Sequence, residues 1–396
     1  MKFLQICNKI PFPVIDGGAA AMNQIGIGLS NLGHKVKIIA INTHKQEFSE
    51  KSLDKNYIDR FNPEYVFLDT RIKSLDALKN LFTVSSYNIE RFDDPSMREK
   101  IKSVLIREVF DVIILDSLYV TPYVSTIRKY SKAKIVLRAH NIEHKIWERK
   151  YLQESNPIKK SYLKLLASRL KKYEQKSVSE VDGVAAISIE DVKYFKKNFS
   201  LPIEFIPFGF DERPVPKFES FNNTKAYFLG AMDWHPNIQA VSWMIENIFP
   251  SIDSETRDFS ITIAGNKMPS EFLNYKSNNL IVKGKIDDPI SFSDDFGIML
   301  APILSGGGLK IKVVEAMALG KTVITTDVGA EGLGAIPGKH FYLCNSKEEF
   351  ISAIKSCIAE KQRAYEMALQ GQQFIMDNFN VVSIMKRLEG FVKSMI

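Results

Sequence analysis

Residues 305–323 read SGGGLKIKVVEAMALGKTV, and this stretch decides the fold prediction. An apolar run at 296–303 precedes it and is typical of a buried strand. The run is followed by three consecutive glycines, Gly306, Gly307 and Gly308. A helical apolar pattern carrying Glu315 comes next and ends at Gly320. This order of strand, glycine loop and helix points backbone N–H groups at an anion, commonly a phosphate.

Charged side chains in the same stretch suit a nucleotide. Lys310 and Lys312 supply compact positive charge for a diphosphate. Glu315 lies near the start of the predicted helix, where a carboxylate can accept two hydrogen bonds from the vicinal hydroxyls of a ribose. The alternative is a loop with surface lysines and a carboxylate that only complements the helix dipole.

Two commoner phosphate-binding motifs do not fit the chain. Residues 320–322 read GKT, but a Walker loop would need glycine where Glu315 stands, and this tripeptide follows a helix instead of a strand. Gly26 and Gly28 do not form a dinucleotide fingerprint, because the third glycine is replaced by Asn31 and the pair lies inside a helical pattern.

The alternation of strand and helix patterns extends over most of the 396 residues, a length that favours two domains. We predict an α/β fold with one Rossmann-like parallel-sheet domain at 1–210 and another at 225–380, joined by a polar, proline-bearing linker at 211–224. Two helices are predicted to close the chain, and the second of them, at 381–396, is predicted to pack back on the first domain. Residues 44–88 lack periodicity and are predicted to be irregular. The two domains are expected to face a central cleft that holds a two-ended ligand.

Glycines and polar residues follow several predicted strands. Gly17 and Gly18 come after the first strand, and Gly230 follows the first strand of the second half. His140 comes three residues after the end of a strand predicted at 134–137. Ligands of open α/β sheets bind at the carboxyl ends of the strands, so these residues are candidates for the binding site.

Composition and charge limit the partners. The net charge of +7 favours anionic partners. A lysine-rich helix predicted at 157–177 suits either an anionic membrane surface or a solvated surface with one buried face. Its basic residues are not interleaved with surfaces of the kind on which nucleic-acid bases stack, so nucleic acid is not a predicted partner.

The sequence predicts neither a metal nor a cofactor. The acidic pairs at 287–288 and 294–295 stand beside short apolar segments, where aspartate commonly caps helices and turns. The cysteines, Cys7, Cys344 and Cys357, have no metal-ligand spacing. Since no apolar run reaches the length of about 18 residues that spans a bilayer, we expect a cytoplasmic protein, peripheral on the inner face of the membrane if the basic helix binds lipid.

Several of these segments together resemble the retaining glycosyltransferases of family 4, which have the two-domain GT-B fold. The resemblance covers most of the chain and is densest over 227–333. Its pieces in the second half are FLGAMDWHPN at 228–237, IAG at 263–265, KGKIDD at 283–288, the glycine stretch with LAP before it, and GAEGL at 329–333. The first half adds the Gly17-Gly18 pair and RAHNIE at 138–143.

The resemblance implies a hexosyltransferase of polysaccharide biosynthesis that moves a sugar from a nucleotide-diphosphate sugar to a glycan or lipid-linked acceptor. It implies retention of configuration and no metal. By this resemblance Glu315 would bind the donor ribose, and Lys310 and Lys312 would hold the diphosphate. His140 would face the donor sugar, and Gly18 would approach the diphosphate. The remaining donor-binding candidates are Gly17, Gly230, Gly306, Gly307 and Gly308.

The chain departs from the family pattern at Gly307, where the family has the first glutamate of its E-x7-E motif. Backbone N–H groups of the glycine loop would replace that side chain. The basic pair usual in the first loop of the second domain is also absent after Gly230. Two alternatives stay open: a nucleotide-sugar 2-epimerase, which would isomerise the donor without an acceptor, and a non-catalytic partner subunit, which would not bind the donor.

Overall fold

The computed structural model divides the chain into two compact units. The first comprises Met1–Gly209 and Val381–Ile396, and the second comprises Phe210–Asn380. The structure describes residues 1–44, 53–73, 76, 79–255, 258–275, 277 and 279–396. Among the helices in these ranges, none combines the length and the apolar character needed to cross a membrane.

The first unit contains one parallel sheet. Its strands are β1 (Lys2–Cys7), β2 (Lys35–Thr43), β3 (Glu64–Leu68), β4 (Val112–Asp116), β5 (Lys134–Ala139), β6 (Gly183–Ala186) and β7 (Ile203–Phe205). Their order is β3-β2-β1-β4-β5-β6-β7. Both faces are covered, and β1 shows this directly: Leu4 and Ile6 belong to one hydrophobic core, and Phe3 and Cys7 to the other.

Helices pack on both faces of this sheet. They are α1 (Gly17–Asn31), α2 (Lys55–Phe61), α3 (Tyr87–Glu90), α4 (Pro95–Arg107), α5 (Val124–Tyr130), α6 (Glu143–Gln153), α7 (Pro157–Ser179) and α8 (Ile189–Asn198), with a 3₁₀ helix at Leu118–Tyr123. The long helix α7 begins at Pro157, and the side chain of Asn156 caps its first turn by accepting hydrogen bonds from two backbone N–H groups.

The second unit contains a second parallel sheet. Its strands are β8 (Lys225–Leu229), β9 (Ser260–Ala264), β10 (Leu280–Val282), β11 (Ile298–Ala301), β12 (Thr322–Thr325) and β13 (Tyr342–Leu343). Their order is β10-β9-β8-β11-β12-β13. The chain therefore has two Rossmann-like parallel-sheet domains, as the strand and helix alternation predicts.

The second sheet is flanked by helices whose ends follow local sequence signals. They are α9 (His235–Trp243), which continues through a π-helical turn at Met244–Ile248, then α10 (Phe249–Glu255), α11 (Ser270–Leu273), α12 (Pro289–Ser293), α13 (Ile311–Ala318), α14 (Lys347–Ala359) and α15 (Lys361–Phe379). Gly320 has a φ of 64°, the left-handed conformation that ends a helix.

The last helix of the chain, α16 (Val381–Lys393), belongs to the first unit. It packs against α1, where a Cβ added at Gly28 would lie 2.3 Å from Cγ of Met385. The glycine therefore permits the close approach of the two helices. The side chains that α16 buries are Ile384, Met385, Leu388, Phe391 and Val392.

Three sequence expectations need correction. The segment 44–88 is not irregular throughout, because it contains α2 and the edge strand β3; the apolar run of β3, residues 65–68, is too short to indicate a strand by its periodicity. Part of that segment, 45–52, lies outside the described residues. Three helices close the chain, where the apolar periodicity predicts two. The polar segment 211–224 belongs to the second unit, where Asn223 donates to backbone carbonyls of α14.

Candidate functional site

The glycine loop, defined as residues 305–310, lies at the topological switch point of the second sheet. Strands β8 and β11 are neighbours there, and the strand order runs outward from them in opposite directions. Gly230 follows β8 directly, and the loop follows β11 and leads into α13. Open α/β sheets bind ligands outside the carboxyl ends of strands at this point.

The loop conformation depends on its glycines. Gly306 and Gly308 have φ values of 99° and 74°, which side-chain-bearing residues rarely adopt. A Cβ at Gly306 would also lie 3.1 Å from the Trp234 ring. In the described part of the chain, the backbone N–H groups of Gly307, Gly308 and Ile311 donate to no protein acceptor, and no side chain caps α13. These N–H groups are open donors of the kind that bind phosphate at helix N-termini.

Lys312 places its ammonium beside Gly230. The Nζ atom donates to Oδ1 of Asn237 at 2.5 Å and lies 4.4 Å from the centroid of the Phe228 ring. A Cβ at Gly230 would be 2.4 Å from this Nζ, so glycine leaves the space that the ammonium occupies. Lys312 makes no ion pair with any residue that the structure describes. Burial lowers the pKa of Lys312 to about 7, and the Lys310 charge acts in the same direction, while Glu315 opposes them.

The positive charge of Lys310 is partly compensated by a nearby carboxylate, unlike that of Lys312. Lys310 is buried, its Nζ donates to the Gly308 carbonyl at 2.6 Å, and it lies 3.6 Å from a carboxylate oxygen of Glu331. These contacts join the glycine loop to Glu331, which follows β12. Binding of the diphosphate by Lys310 as well as Lys312 stays a prediction.

Glu315 lies one helical turn after Lys312 on α13. Its side chain makes neither a hydrogen bond nor an ion pair within the described residues, so both carboxylate oxygens are available as acceptors. Burial raises the pKa of Glu315, and Arg213 and Lys312 counteract part of that rise. Arg213 stands in the segment predicted as a linker, and no sequence pattern marks it as a neighbour of Glu315.

In the first unit, His140 belongs to a buried polar cluster at the carboxyl ends of β4 and β5. Its Nε2 is 2.5 Å from Oδ1 of Asp116, which also accepts from Arg138 at 3.2 Å. Gln5 donates to the other oxygen of Asp116 at 2.7 Å. Burial alone would raise the pKa of Asp116, but these three partners bring it down to about 2. The structure therefore provides a fully buried carboxylate that orients His140.

Gly17 and Gly18 lie in the first turn of α1. Asp16 caps this helix by accepting from the Ala19 N–H at 2.8 Å, and Lys9 pairs with Asp16 at 2.8 Å. A Cβ at Gly18 would lie 3.0 Å from Nζ of Lys9. The N-terminus of α1 is therefore capped by the Asp16 carboxylate, and Lys9 compensates the negative charge of that carboxylate.

Two residues of these sites stand at sequence positions that favour a binding role, although the prediction did not include them. Asp116 follows an apolar run of four residues, 112–115, at the position where α/β strands present ligand contacts. Asn237 stands in the first turn of α9, where its side chain can reach neighbouring loops. No three His, Cys, Asp or Glu side chains converge to hold a metal ion in the ranges described.

A second buried polar cluster joins α6 to α7. Glu174 accepts from the backbone N–H groups of Glu143 at 2.9 Å and His144 at 3.2 Å, and from Nδ1 of His144 at 2.5 Å. The Tyr119 hydroxyl donates to Glu143 at 2.9 Å. Burial raises the pKa of Glu143 to about 7, and the nearby Glu174 carboxylate adds to the rise.

The chain is similar to known proteins in its second unit and over its whole length. Residues 223–360, which include the glycine loop, match the family model of Glycosyl transferases group 1. An uncharacterized 44.6 kDa protein in the cps region of Klebsiella pneumoniae is 25% identical over 394 residues, which cover 96% of each chain.

Solved structures share the whole architecture. Sucrose-phosphate synthase from Thermosynechococcus elongatus has a TM-score of 0.72 at 13% identity, over 100% of this chain and 99% of the other. Anabaena HepE in complex with UDP has a TM-score of 0.65 at 13% identity, over 100% of both chains. The chain therefore has the GT-B fold, and the match of its second unit to the group 1 glycosyl transferases supports a glycosyltransferase.

Proposed function

We propose that the protein is a retaining, metal-independent hexosyltransferase that moves a sugar from a nucleotide-diphosphate sugar to a glycan or lipid-linked acceptor. The observation that carries the proposal is the Lys312 ammonium, which has no counter-ion in the described chain and belongs to the helix that follows the open N–H donors of the glycine loop. A diphosphate supplies the negative charge that this arrangement lacks.

Two similarities agree with a nucleotide donor and a polysaccharide product. Anabaena HepE, which has the same fold, is solved with UDP. The Klebsiella relative is encoded in a cps region, and we infer polysaccharide biosynthesis for this chain from that similarity. The role of His140 toward the donor sugar stays a prediction from the family resemblance.

The mechanism follows from where charge develops. Breaking the bond between sugar and phosphate leaves negative charge on the departing diphosphate. Lys312, the N–H groups of Gly307 and Gly308 and the N-terminus of α13 would stabilise that charge without a metal. On the proposed retaining course, a phosphate oxygen of the leaving group accepts the acceptor's proton on the face from which it departs. No protein side chain is then required as a base.

A panel of nucleoside diphosphates and nucleotide sugars tests the proposal. We expect at least one of UDP, GDP, ADP and dTDP to raise the thermal unfolding midpoint, because a ligand that binds only the folded protein stabilises it. The matching nucleotide sugar should then be consumed with release of the diphosphate. Isomerisation of the free nucleotide sugar would favour the epimerase instead, and a panel without any shift would contradict the proposal.

Replacing Glu315 with alanine should remove recognition of the ribose. We expect the native protein to bind UDP about 10-fold or more tightly than 2′,3′-dideoxyuridine diphosphate, because hydrogen bonds to a charged carboxylate contribute roughly 1.5–3 kcal/mol. The Glu315→Ala variant should bind both nucleotides equally, as measured by calorimetry. The control is Glu348→Ala, which removes an exposed carboxylate from the first turn of α14. An undiminished preference for UDP in Glu315→Ala would contradict the assignment.

We further propose that α7 contacts an anionic membrane surface. Its exposed residues include a lysine stripe with near-helical spacing, consisting of Lys160, Lys164, Lys172 and Lys176. Arg169 donates to the carbonyls of Asn80 and Leu81 and so ties the loop after them to α7. That loop exposes Phe82 at 89% and Val84 at 96% of their surface. Basic charge beside exposed apolar side chains is typical of surfaces that bind anionic lipid.

Reversing two charges of the lysine stripe should weaken this binding. We expect Lys164→Glu with Lys172→Glu to lower the affinity for phosphatidylglycerol vesicles about 30-fold or more, since each lysine contributes about 1 kcal/mol near an anionic surface. The matched control reverses Lys55 and Lys386, which are exposed on α2 and α16 against the other hydrophobic core of the sheet. Cosedimentation measures the effect, and equal losses in both double variants would exclude a specific surface.

A further inference from the structure

Asn237 connects the turn after β8 to the donor-site helix α13. Its side chain is buried, with 3% of its surface exposed. The Nδ2 group donates to the Ala231 carbonyl at 2.6 Å, and Oδ1 accepts from Nζ of Lys312 at 2.5 Å. The assignment of the amide follows from chemistry, because a carbonyl can only accept and an ammonium can only donate. The amide therefore uses both ends to fix the position of one cation.

The surroundings of the ammonium leave its charge without a neutralising partner. Phe228 on β8 contributes an aromatic face, Gly230 contributes no side chain, and Asn237 on α9 contributes a neutral oxygen. The charged groups that act on Lys312 are Glu315 on the same helix and Lys310 at its N-cap, and they oppose each other. Burial lowers the pKa of Lys312 to about 7.

We propose that Asn237 is a positioning residue of the donor site, which holds the Lys312 ammonium in place without neutralising it, so that the donor diphosphate becomes its counter-ion. This inference rests on the proposed function for the identity of the anion. An aspartate here would hold the lysine equally well but would compete with the diphosphate. An alanine would leave the ammonium without an acceptor and without a fixed position.

The arrangement couples donor binding to protonation. A bound diphosphate favours the charged lysine, so the complex keeps the proton to a higher pH than the free protein does. Binding at a pH above the free-protein midpoint therefore takes up a proton at Lys312. The affinity should fall as the pH rises above 7, by up to about tenfold per pH unit for one coupled proton. Below that midpoint the lysine is already charged, and this contribution levels off.

The first experiment needs no nucleotide. Lysines labelled with ¹³C at Cε are titrated by NMR in the ligand-free protein, and the Lys312 signal is assigned by its absence in Lys312→Met. We expect a midpoint of about 7 in the native protein. The midpoint should rise in Asn237→Asp, because a carboxylate favours the charged ammonium, and fall in Asn237→Ala. A purely structural role for Asn237 would not move the midpoint in opposite directions. A native midpoint near the ordinary lysine value of about 10.4 would overturn the inference.

The second experiment measures UDP-glucose binding by calorimetry at pH 6.5 and pH 8.5. Its diphosphate is fully ionised at both values, so a pH effect reports on the protein. The native protein should bind more weakly at pH 8.5. Asn237→Asp should bind weakly at both values with little pH dependence, and Asn237→Ala should lose most affinity at pH 8.5. Asn237→Ser, which keeps a small acceptor, should fall between the native protein and Asn237→Ala.

The two experiments separate the possible failures. The expected titrations without binding of UDP-glucose, UDP, GDP, ADP or dTDP would overturn the proposed function and the diphosphate as counter-ion. The conclusion that Asn237 controls the charge of Lys312 would still hold. Nucleotide binding with an unchanged Lys312 midpoint in both variants would overturn the positioning role alone.

Discussion

Replacing Lys312 with methionine should lower the rate of sugar release from the nucleotide-sugar donor by about 10²–10³-fold, equivalent to about 2.7–4 kcal/mol of transition-state stabilisation. Methionine keeps the length and much of the volume of the side chain but removes the charge. The loss should be large because Lys312 has no counter-ion in the described chain, so that in the proposed function its charge is available to stabilise the leaving diphosphate. The measurement is the rate of diphosphate release at saturating donor.

Lys310→Met provides the informative comparison. The Lys310 charge is partly compensated by Glu331, and its Nζ donates to the Gly308 carbonyl. We therefore expect a smaller loss of rate than in Lys312→Met, together with a less stable conformation of the glycine loop. Lys339→Met removes an exposed lysine elsewhere in the second unit and should have no effect. Equal rates in the native protein and Lys312→Met would exclude Lys312 from the reaction.

The thermal stability of the Lys312→Met variant should show that its lower rate does not result from unfolding. The pKa of Lys312 is lower in the folded protein than the usual lysine value, so the folded state binds fewer protons than the unfolded state between these two pKa values. The native protein therefore loses stability as the pH falls from about 10.4 to about 7. Methionine removes this loss, and the variant should unfold at the same or a higher temperature than the native protein at pH 7.

Replacing Glu174 with alanine should destabilise the first unit by about 3–5 kcal/mol. Removal of the Glu174 carboxylate leaves three buried N–H donors without an acceptor, and each such donor costs roughly 1–3 kcal/mol. Glu174 is 3% exposed and accepts from the backbone N–H groups of Glu143 and His144 and from the His144 ring. Hydrogen exchange of the β4 and β5 amides, followed by mass spectrometry, measures the loss within the first unit.

Two further variants separate the buried cluster from a surface effect. Glu174→Gln keeps one side-chain oxygen as an acceptor and should cost less than the alanine. Glu148→Ala removes a carboxylate from α6 whose partner, Lys171, lies 4.0 Å away near the surface, and should cost about 1 kcal/mol or less. A Glu174→Ala variant as stable as Glu148→Ala would mean that the cluster does not hold α6 to α7.

The course of the backbone was predictable wherever one local signal was strong. Strands such as β4 are buried on both faces, so every residue is apolar until Asp116, and the run is visible in the sequence. Gly320 marks the end of α13 because its left-handed conformation favours glycine. The edge strand β3 escaped prediction although residues 65–68 form an apolar run, because a run of four residues within a polar segment does not by itself distinguish a strand from other structure.

The candidate site was predictable in its residues but only partly in their roles. By itself, the sequence determined that a glycine loop, two lysines and a glutamate lie together where a strand leads into a helix, because these residues are neighbours in the chain. Only the tertiary structure decided that Lys310 is compensated by Glu331 whereas Lys312 is held by Asn237, 75 positions earlier in the sequence. The physical reason is that the spacing of side chains along a helix sets the face on which a residue lies, whereas its hydrogen-bond partners come from strands and loops that are distant in the chain.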